Sequence, residues 1–515
     1  MHRLLPLTLI LTAAAIANVA FSQAAHAVDV VVVCPQKFRQ SMQAWIDYRQ
    51  SQGQSVAVVN SQSDTKTLTT GIQEASDEKT RYVVLVGDAP VIGTKADVSR
   101  QVPTHYLKTT VTAKWGSSPT MASDMPFGDF DQDKIPDAAV GRLPVQRAVE
   151  LDQFIDRIIA YERSDDFGSW RGQVQLVGGI GGFGMMADAA IESVTRTVVT
   201  SVLPTETRTH VVYASPGHLF YPKGDSFTDA VVKQYANGAR FWVYAGHGQV
   251  TELDRVPQTR DGIPVLDYKT LTQLDRPAKS APIALMLACY TGAIDAARDS
   301  LGERMVLFDG GPIALFAGSR ITMPYGNATA AIGLIKGVYE EKSPRLGDAW
   351  LSTLKQMHAD DPQTKSTSRM MIDAVAALVS PSGTKLVDER HEHMGLYNLF
   401  GDPMLSLHPA KPAKVTVPPG FDNGEAVAVS VNSPIDGESL IQIDRPLGAI
   451  TKGNPNDTTI AEMRMPVRSG QDTTSKFLLP SDVTGPLVVR VIVSGDKEWA
   501  TGSAKTMIRR PADKK

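Results

Sequence analysis

From Val28 the chain alternates between short apolar runs and longer stretches in which apolar residues recur every three or four positions. Val28 to Val33 predicts a fully buried strand, and the stretch after it carries Phe38, Met42, Trp45 and Ile46 on one face, predicting a helix that stops at Gly53. Ser55 to Val59 predicts a second strand and, after another helical stretch, Tyr82 to Val86 a third. Strands alternating with helices argue for a mostly parallel sheet covered on both faces, hence an α/β fold. Phe154, Ile155, Ile158 and Ile159 mark a long helix that leads into a second round of alternation. Its predicted strands are Val174 to Val177, His210 to Tyr213, Phe241 to Tyr244, Pro282 to Leu287 and Pro312 to Ala317.

After Pro409 the texture changes. Lys411-Pro412-Ala413 and Val417-Pro418-Pro419-Gly420 punctuate the chain, and alternating runs follow at Ala426 to Val431, Leu440 to Ile443, Ile460 to Met465 and Leu487 to Val493. Period-two alternation predicts half-buried strands, and a cluster of them predicts a small, immunoglobulin-like β-sandwich. The expected organisation is a first α/β subdomain over 28–165, a second over 166–409 and the sandwich over 410–515, with the α/β region built of one or two layers. The basic end, Arg509, Arg510, Lys514 and Lys515, reads as a solvated tail.

A chain of 515 residues exceeds one core, in keeping with this division. Arg3 precedes an apolar run from Leu4 to Val19, and Ala25-His26-Ala27 has the small-x-small pattern of a signal peptidase site. Residues 1–27 therefore read as a removed signal peptide and the mature protein as secreted: extracellular, cell-surface or periplasmic. The other reading, an uncleaved anchor, needs the ~20 unbroken apolar residues of a bilayer span, which neither this run nor any later one supplies. Removing the leader turns 52 basic and 55 acidic residues into 51 and 55, a net charge of −4. Such a balance leaves no nucleic-acid footprint and no polybasic membrane patch.

Two cysteines, Cys34 and Cys289, are too few for a disulfide scaffold in a chain this long. Cys34 ends the first strand and reads as a small buried hydrophobe; a Cys34–Cys289 disulfide is the alternative. Cys289 ends the apolar run of Ile283 to Asp295, IALMLACYTGAID, and His247 ends that of Phe241 to Gln249, FWVYAGHGQ. Ligands of open α/β sheets bind at the carboxyl ends of strands, so both side chains are expected at one edge. A thiol beside an imidazole that takes its proton and later returns it to a leaving amine is the apparatus of a nucleophilic peptidase. The glycines around His247 allow close backbone approach, and the amides of Gly248 and Cys289 offer an oxyanion two donors. A lone pair of this kind otherwise reads as a buried strand-end Cys and an unrelated His.

The ordered set of motifs around this pair resembles the gingipain family, relatives of caspases and legumain. Ala245-Gly246-His247-Gly248 and Ala288-Cys289-Tyr290-Thr291-Gly292 carry the resemblance. Val86-Gly87-Asp88, Ile135 to Arg142 (IPDAAVGR), Tyr161-Glu162, Ser300-Leu301-Gly302-Glu303 and Leu399-Phe400-Gly401-Asp402-Pro403 extend it over residues 28–408. The resemblance implies a caspase-like fold, His247 as acid/base, Cys289 as nucleophile, and Asp137, where the family often has Glu, as the acid orienting the imidazole. Relatives that prefer Arg or Lys place an acid in the pocket for that side chain; Glu150 is the candidate here, and a helix amino-terminal acid is its other reading. The family usually carries a pro-segment after the signal, whereas here the first strand follows the cleavage site at once, so latency has another source or is absent.

Three further features carry chemistry of their own. Asp129, Asp131, Asp133 and Asp137 in DFDQDKIPD have the alternating spacing of a calcium loop without its sixth-position Gly or final Glu, and read either as a structural Ca²⁺ site or as a solvated acidic loop. Asp137 cannot serve a cation and His247 at once. Gly179-x-Gly181-x-x-Gly184 mimics a dinucleotide fingerprint, but the next strand ends in Ala214-Ser215-Pro216 without the acid a ribose needs, so it reads as a tight turn. His391 and His393 flank Glu392 too far from other ligands for a metal site and read as a polar loop.

The leading expectation is a cysteine endopeptidase acting on extended protein or peptide substrates, with no cofactor required for the chemistry. A transpeptidase resolving its acyl-enzyme with an amine, and an inactive surface or binding protein of the same fold, are the alternatives.

Overall fold

The computed structural model describes residues 27–182, 184–361, 365–380, 384–450 and 453–509. The predicted leader, apart from its last residue, and the end of the basic tail lie outside them.

In chain order, the first half comprises β1 (Val30–Val33), α1 (Arg39–Ser51), β2 (Val56–Val59), α2 (Thr65–Ala75), β3 (Tyr82–Val86), the hairpin β4 (His105–Lys108) and β5 (Thr120–Ser123), β6 (Ala139–Leu143) and α3 (Ala148–Glu162). The second half runs β7 (Gln173–Gly178), α4 (Met185–Thr197), β8 (Arg208–Tyr213), α5 (Phe227–Ala236), β9 (Phe241–Ala245), a short hairpin β10 (Arg255–Val256) and β11 (Ile263–Pro264), and α6 (Tyr268–Leu271). It closes with β12 (Ile283–Leu287), α7 (Leu301–Leu307), β13 (Ala314–Gly318), α8 (Pro324–Ile335), α9 (Leu346–His358), α10 (Thr367–Val379), α11 (Leu386–Leu396) and β14 (Tyr397–Phe400).

Both rounds of alternation join one ten-stranded sheet, ordered β2-β1-β3-β6-β14-β13-β12-β9-β7-β8. Every neighbouring pair is parallel except β13 and β14. Strand direction therefore reverses once, between β13 and β14, and the carboxyl ends of β9 and β12 share an edge with the amino ends of β6 and β14. Period two explains why the strands are so apolar: Val30 and Val32 of β1 face one hydrophobic core, while Val31 and Val33 face another on the opposite side.

Three of the motif stretches that resemble the gingipains are structural. Glu162, at the end of α3, and Asp402, after β14, close on the buried Arg49 of α1, with Glu162 2.7 Å from its guanidinium. Arg142 of β6 is likewise fully buried, its guanidinium forked onto Asp124 at 2.7 and 2.8 Å. Each pair is a charge-assisted contact without which a buried arginine would be untenable.

The carboxyl-terminal region forms two mostly antiparallel sheets, one of six strands and one of three. Val427, Val429 and Val431 from the smaller sheet meet Ile441, Val489 and Val491 from the larger in a core of their own, which defines a sandwich. It docks on the edge of the α/β sheet. The Asn456 side chain exchanges hydrogen bonds of 2.9 Å with both the amide and the carbonyl of Val211 in β8, covering that edge strand. Trp499 Nε1 donates to His408 O at 2.7 Å and Ser494 Oγ to Phe167 O at 2.7 Å. Among the described residues no helix is long and apolar enough to cross a membrane.

Candidate active site

The site is built where β9 and β12 end. These neighbouring parallel strands are in register with Ala245 opposite Leu287. His247 and Cys289 each stand two residues beyond that pair, past the ends of strands about 4.8 Å apart, and both line one cavity. The two ends touch: a Cβ on Gly248 would come to 2.7 Å from Cys289 O and 2.9 Å from Ala288 Cβ, so only glycine permits the approach. Tyr290, directly after the cysteine, takes a left-handed conformation with φ 58°, a turn that L residues adopt at a cost and that bends the chain sharply away from the thiol.

Cys289 is partly buried beneath the segment that follows β13. Thr322 N donates to its Sγ at 3.4 Å. Asn327 Nδ2 holds the Thr322 hydroxyl at 3.1 Å, and Tyr397 OH holds Asn327 Oδ1 at 2.7 Å. Burial pushes the Cys289 thiol above its ordinary range, with the Thr322 amide and hydroxyl pulling the other way. Burial thus favours the protonated form of the thiol.

His247 is oriented by backbone. Its Nε2 lies 2.9 Å from Gly181 O, and because a carbonyl only accepts, that nitrogen carries the hydrogen. In the neutral ring the lone pair is then on Nδ1. The buried Asp254 holds both partners of this contact: its Oδ2 accepts from His247 N at 3.2 Å and from Ile180 N at 3.1 Å, and lies 3.1 Å from Tyr244 OH. A Cβ at Gly179 would run into that carboxylate, and one at Gly246 would come to 2.9 Å from it. The Gly179 to Gly184 stretch is thus a tight turn, as its spacing predicted, but one that supplies the carbonyl for His247. Nothing in the sequence around Asp254 marked it as part of the site.

Asp137 does not reach His247. It precedes β6, and β14, β13 and β12 stand between β6 and β9, four strand spacings or about 19 Å. Its Oδ2 accepts instead from Phe130 N at 2.9 Å within the acidic loop. There Asp129, Asp131 and Asp137 bring ligand atoms within 4.8 Å of one another, and Asp133, which accepts from Ile135 N at 2.7 Å, is not part of that group. Glu150 is no pocket acid either. Its carboxylate accepts from Gln146 N at 2.9 Å and Arg147 N at 3.1 Å, capping α3, the role its place in the first turn favours.

Cys34 is a free, buried thiol five strand spacings from β12, so no disulfide joins it to Cys289; burial pushes it up to about 12. His391 and His393 lie on helix α11 rather than in a polar loop. His393 is fully buried and accepts from Met323 N at 2.7 Å through Nε2 while Nδ1 donates to Glu389 O at 2.7 Å. It thereby fixes the segment carrying Thr322 against the Cys289 thiol. Burial holds its pKa down to about 4, so the ring is neutral under ordinary conditions.

The match to a peptidase family makes this chain a cysteine-type peptidase. The particular family follows from comparison with known sequences: residues 23–408 match the model of peptidase family C25, and the chain belongs to that family, the gingipains. No curated protein matches it. Among solved structures it is similar to the Arg-specific cysteine proteinase gingipain R, at 16% identity and a TM-score of 0.53 over 94% of this chain and 98% of that one. It is also similar to the complex of RgpB pro- and mature domains from Porphyromonas gingivalis, at 15% identity and a TM-score of 0.52 over 93% of this chain and 100% of that one. At such identities the likeness establishes the fold alone.

Proposed function

We propose that this protein is a secreted cysteine endopeptidase working through a Cys289–His247 dyad. The observation that carries the reading is the register of β9 and β12, with both side chains two residues beyond one strand pair. His247 Nδ1 takes the Cys289 proton as Sγ attacks the scissile carbonyl carbon, forming the C–S bond and moving the carbonyl π electrons onto oxygen. The amides of Gly248 and Cys289 stabilise that oxyanion. Collapse of the intermediate breaks the C–N bond, with His247 returning its proton to the leaving amine. Water, deprotonated by His247, then attacks the acyl-enzyme and releases the acid and the thiol. Gly181 O holds the imidazole throughout, in the place where an acidic side chain was expected.

The test is peptide hydrolysis by wild type, Cys289→Ala, His247→Ala and Cys34→Ala. Cys289→Ala should abolish turnover, His247→Ala should reduce it by about 10²- to 10⁴-fold, and Cys34→Ala should leave the chemistry intact. Equal hydrolysis by wild type and a correctly folded Cys289→Ala would end the reading. Inclusion of a competing amine distinguishes hydrolysis from transpeptidation through the products formed.

A further inference from the structure

A cavity of about 530 Å³ opens beside Cys289 and His247 and runs inward between the sheet and helices α4, α8 and α10. Its size lies within the range of ligand pockets. One wall is the sheet face with Leu176, Val243 and Leu287; the other carries Val194 of α4, Ala331 of α8 and Ile372 of α10. The gap has a packing origin. Val194 and Val198 join a separate apolar cluster with Ile332, Ile372 and Ala376, so α4 leans on α8 and α10 and stands off the strands beneath it. Leu176, Val243 and Leu287, on inner strands of a ten-stranded sheet, are consequently only half-buried.

The cavity holds little charge. Among the described residues that line it the carboxylates are Asp188 and Glu389, and there is no Lys or Arg. Asp188 Oδ2 accepts from Gly182 N at 3.1 Å, on the His247 loop, and Glu389 Oε1 accepts from Gly326 N at 2.9 Å. The rim adds an aromatic residue. Trp115, 54% exposed, projects from the tip of the β4–β5 hairpin and lines the opening. The tip is fixed by the Glu392 carboxylate, which accepts from the amides of Thr110, Val111 and Thr112 and the hydroxyls of Thr110 and Thr112, at 2.6 to 2.9 Å. A tip held in this way carries the exposed indole at the opening, where it offers apolar contact area.

We propose that the substrate residue whose carbonyl Cys289 attacks bears a large apolar or aromatic side chain, which enters this cavity past Trp115. The inference rests on the peptidase reading and names its substrate class. A Phe or Leu side chain gains by leaving water for these walls, whereas an Arg or Lys head group would give up its hydration to reach Asp188 or Glu389, each of which already accepts from a backbone amide.

Alkylation of the full-length protein by matched peptidyl chloromethyl ketones ending in Phe, Leu, Arg, Lys or Gly tests the proposal. Modification of Cys289 is followed by mass spectrometry, and each rate is divided by that of iodoacetamide on the same protein. The Phe and Leu reagents should react at least about 100-fold faster than the Gly reagent, since a single methylene in an apolar pocket is worth about 10- to 200-fold, and also faster than the Arg and Lys reagents. Ala331→Phe, which fills the cavity, should bring the Phe-to-Gly ratio down toward one. Val194→Phe, on the loosely packed α4, provides the same test should Ala331→Phe fail to fold. Fastest labelling by the Arg or Lys reagent, equal labelling by Phe and Gly reagents, or an unchanged ratio in a folded filled variant would overturn the proposal. Labelling requires the thiol and the cavity but no turnover. Selective labelling without hydrolysis would therefore refute the peptidase reading and leave the pocket standing, and hydrolysis with Arg selectivity would do the reverse.

Discussion

Asp254→Asn isolates the charge that organises the His247 side of the site. The substitution keeps the shape of a buried side chain whose Oδ2 accepts from His247 N and Ile180 N and lies beside Tyr244 OH. A hydrogen bond to a charged group contributes about 1.5–3 kcal/mol net and one to a neutral group about 0.5–1.5, so loss of charge across two amide contacts should cost about 2–3 kcal/mol of stability. Asp254→Ala should cost more, because two buried amides then have no acceptor at all, at about 1–3 kcal/mol each. The catalytic effect follows from what those amides hold: one is the backbone of His247, the other belongs to the loop whose Gly181 carbonyl orients its ring. A displacement of about 1 Å at a reacting group can cost about 10²-fold in rate, and a loss of that order in kcat/KM, carried by kcat rather than KM, is expected for Asp254→Asn. The assay is steady-state hydrolysis across pH with the folded fraction measured in parallel by circular dichroism. A purely structural role would lower the active fraction and leave kcat per folded molecule unchanged, whereas a positioning role should lower kcat in the folded enzyme with KM little changed. Wild-type kcat/KM in folded Asp254→Asn, or a loss accounted for entirely by unfolding, would refute the reasoning.

Three other outcomes are expected. Burial holds the pKa of His393, His210 and His408 down to about 4, below the ordinary value of about 6.5, so their contribution to stability is fully present above pH ~6.5 and is lost as pH falls toward 4; urea midpoints that stay flat over this window would contradict it. Calcium should stabilise the fold through Asp129, Asp131 and Asp137 by about 2.7 kcal/mol at a hundred times its Kd and so raise the thermal midpoint, and Asp129→Asn should remove the effect; a titration against chelator that leaves the midpoint unmoved would assign the loop to solvent. Amino-terminal sequencing of the secreted protein should begin at Val28, and a sequence starting at Met1 would rule out cleavage of the leader.

Much of the α/β framework was legible in the chain because buried strands in a doubly covered sheet must be apolar on both faces. Val30 to Val33 and Ile283 to Leu287 announce themselves in this way. The strands β6 and β14 did not. Ala139–Leu143 contains Gly141 and Arg142, and Tyr397–Phe400 is four residues long with Asn398 inside it; each is a strand because its neighbours pair with it. Those two strands join the halves into one sheet and reverse its direction. Cys289 and His247 were visible as polar residues ending apolar runs beside glycines, which is where an open sheet exposes side chains.

What orients them was not visible, because it depends on contacts between segments far apart in sequence. Asp137 matched a family motif, yet three strands separate its own from that of His247. Glu150 had two readings, and only its hydrogen bonds to the start of its own helix decided between them. Asp254, His393 and Glu392 acquire their roles from Ile180, Met323 and the tip of the β4–β5 hairpin, partners that no local pattern specifies. The sequence by itself determined the strand ends and the residues that stand on them, since hydrophobic periodicity and glycine placement are local properties. Tertiary structure alone decided the register of the two strands beyond which His247 and Cys289 stand, the backbone carbonyl that holds the imidazole, and the apolar cavity that both residues line, because each depends on which elements pack together and how closely.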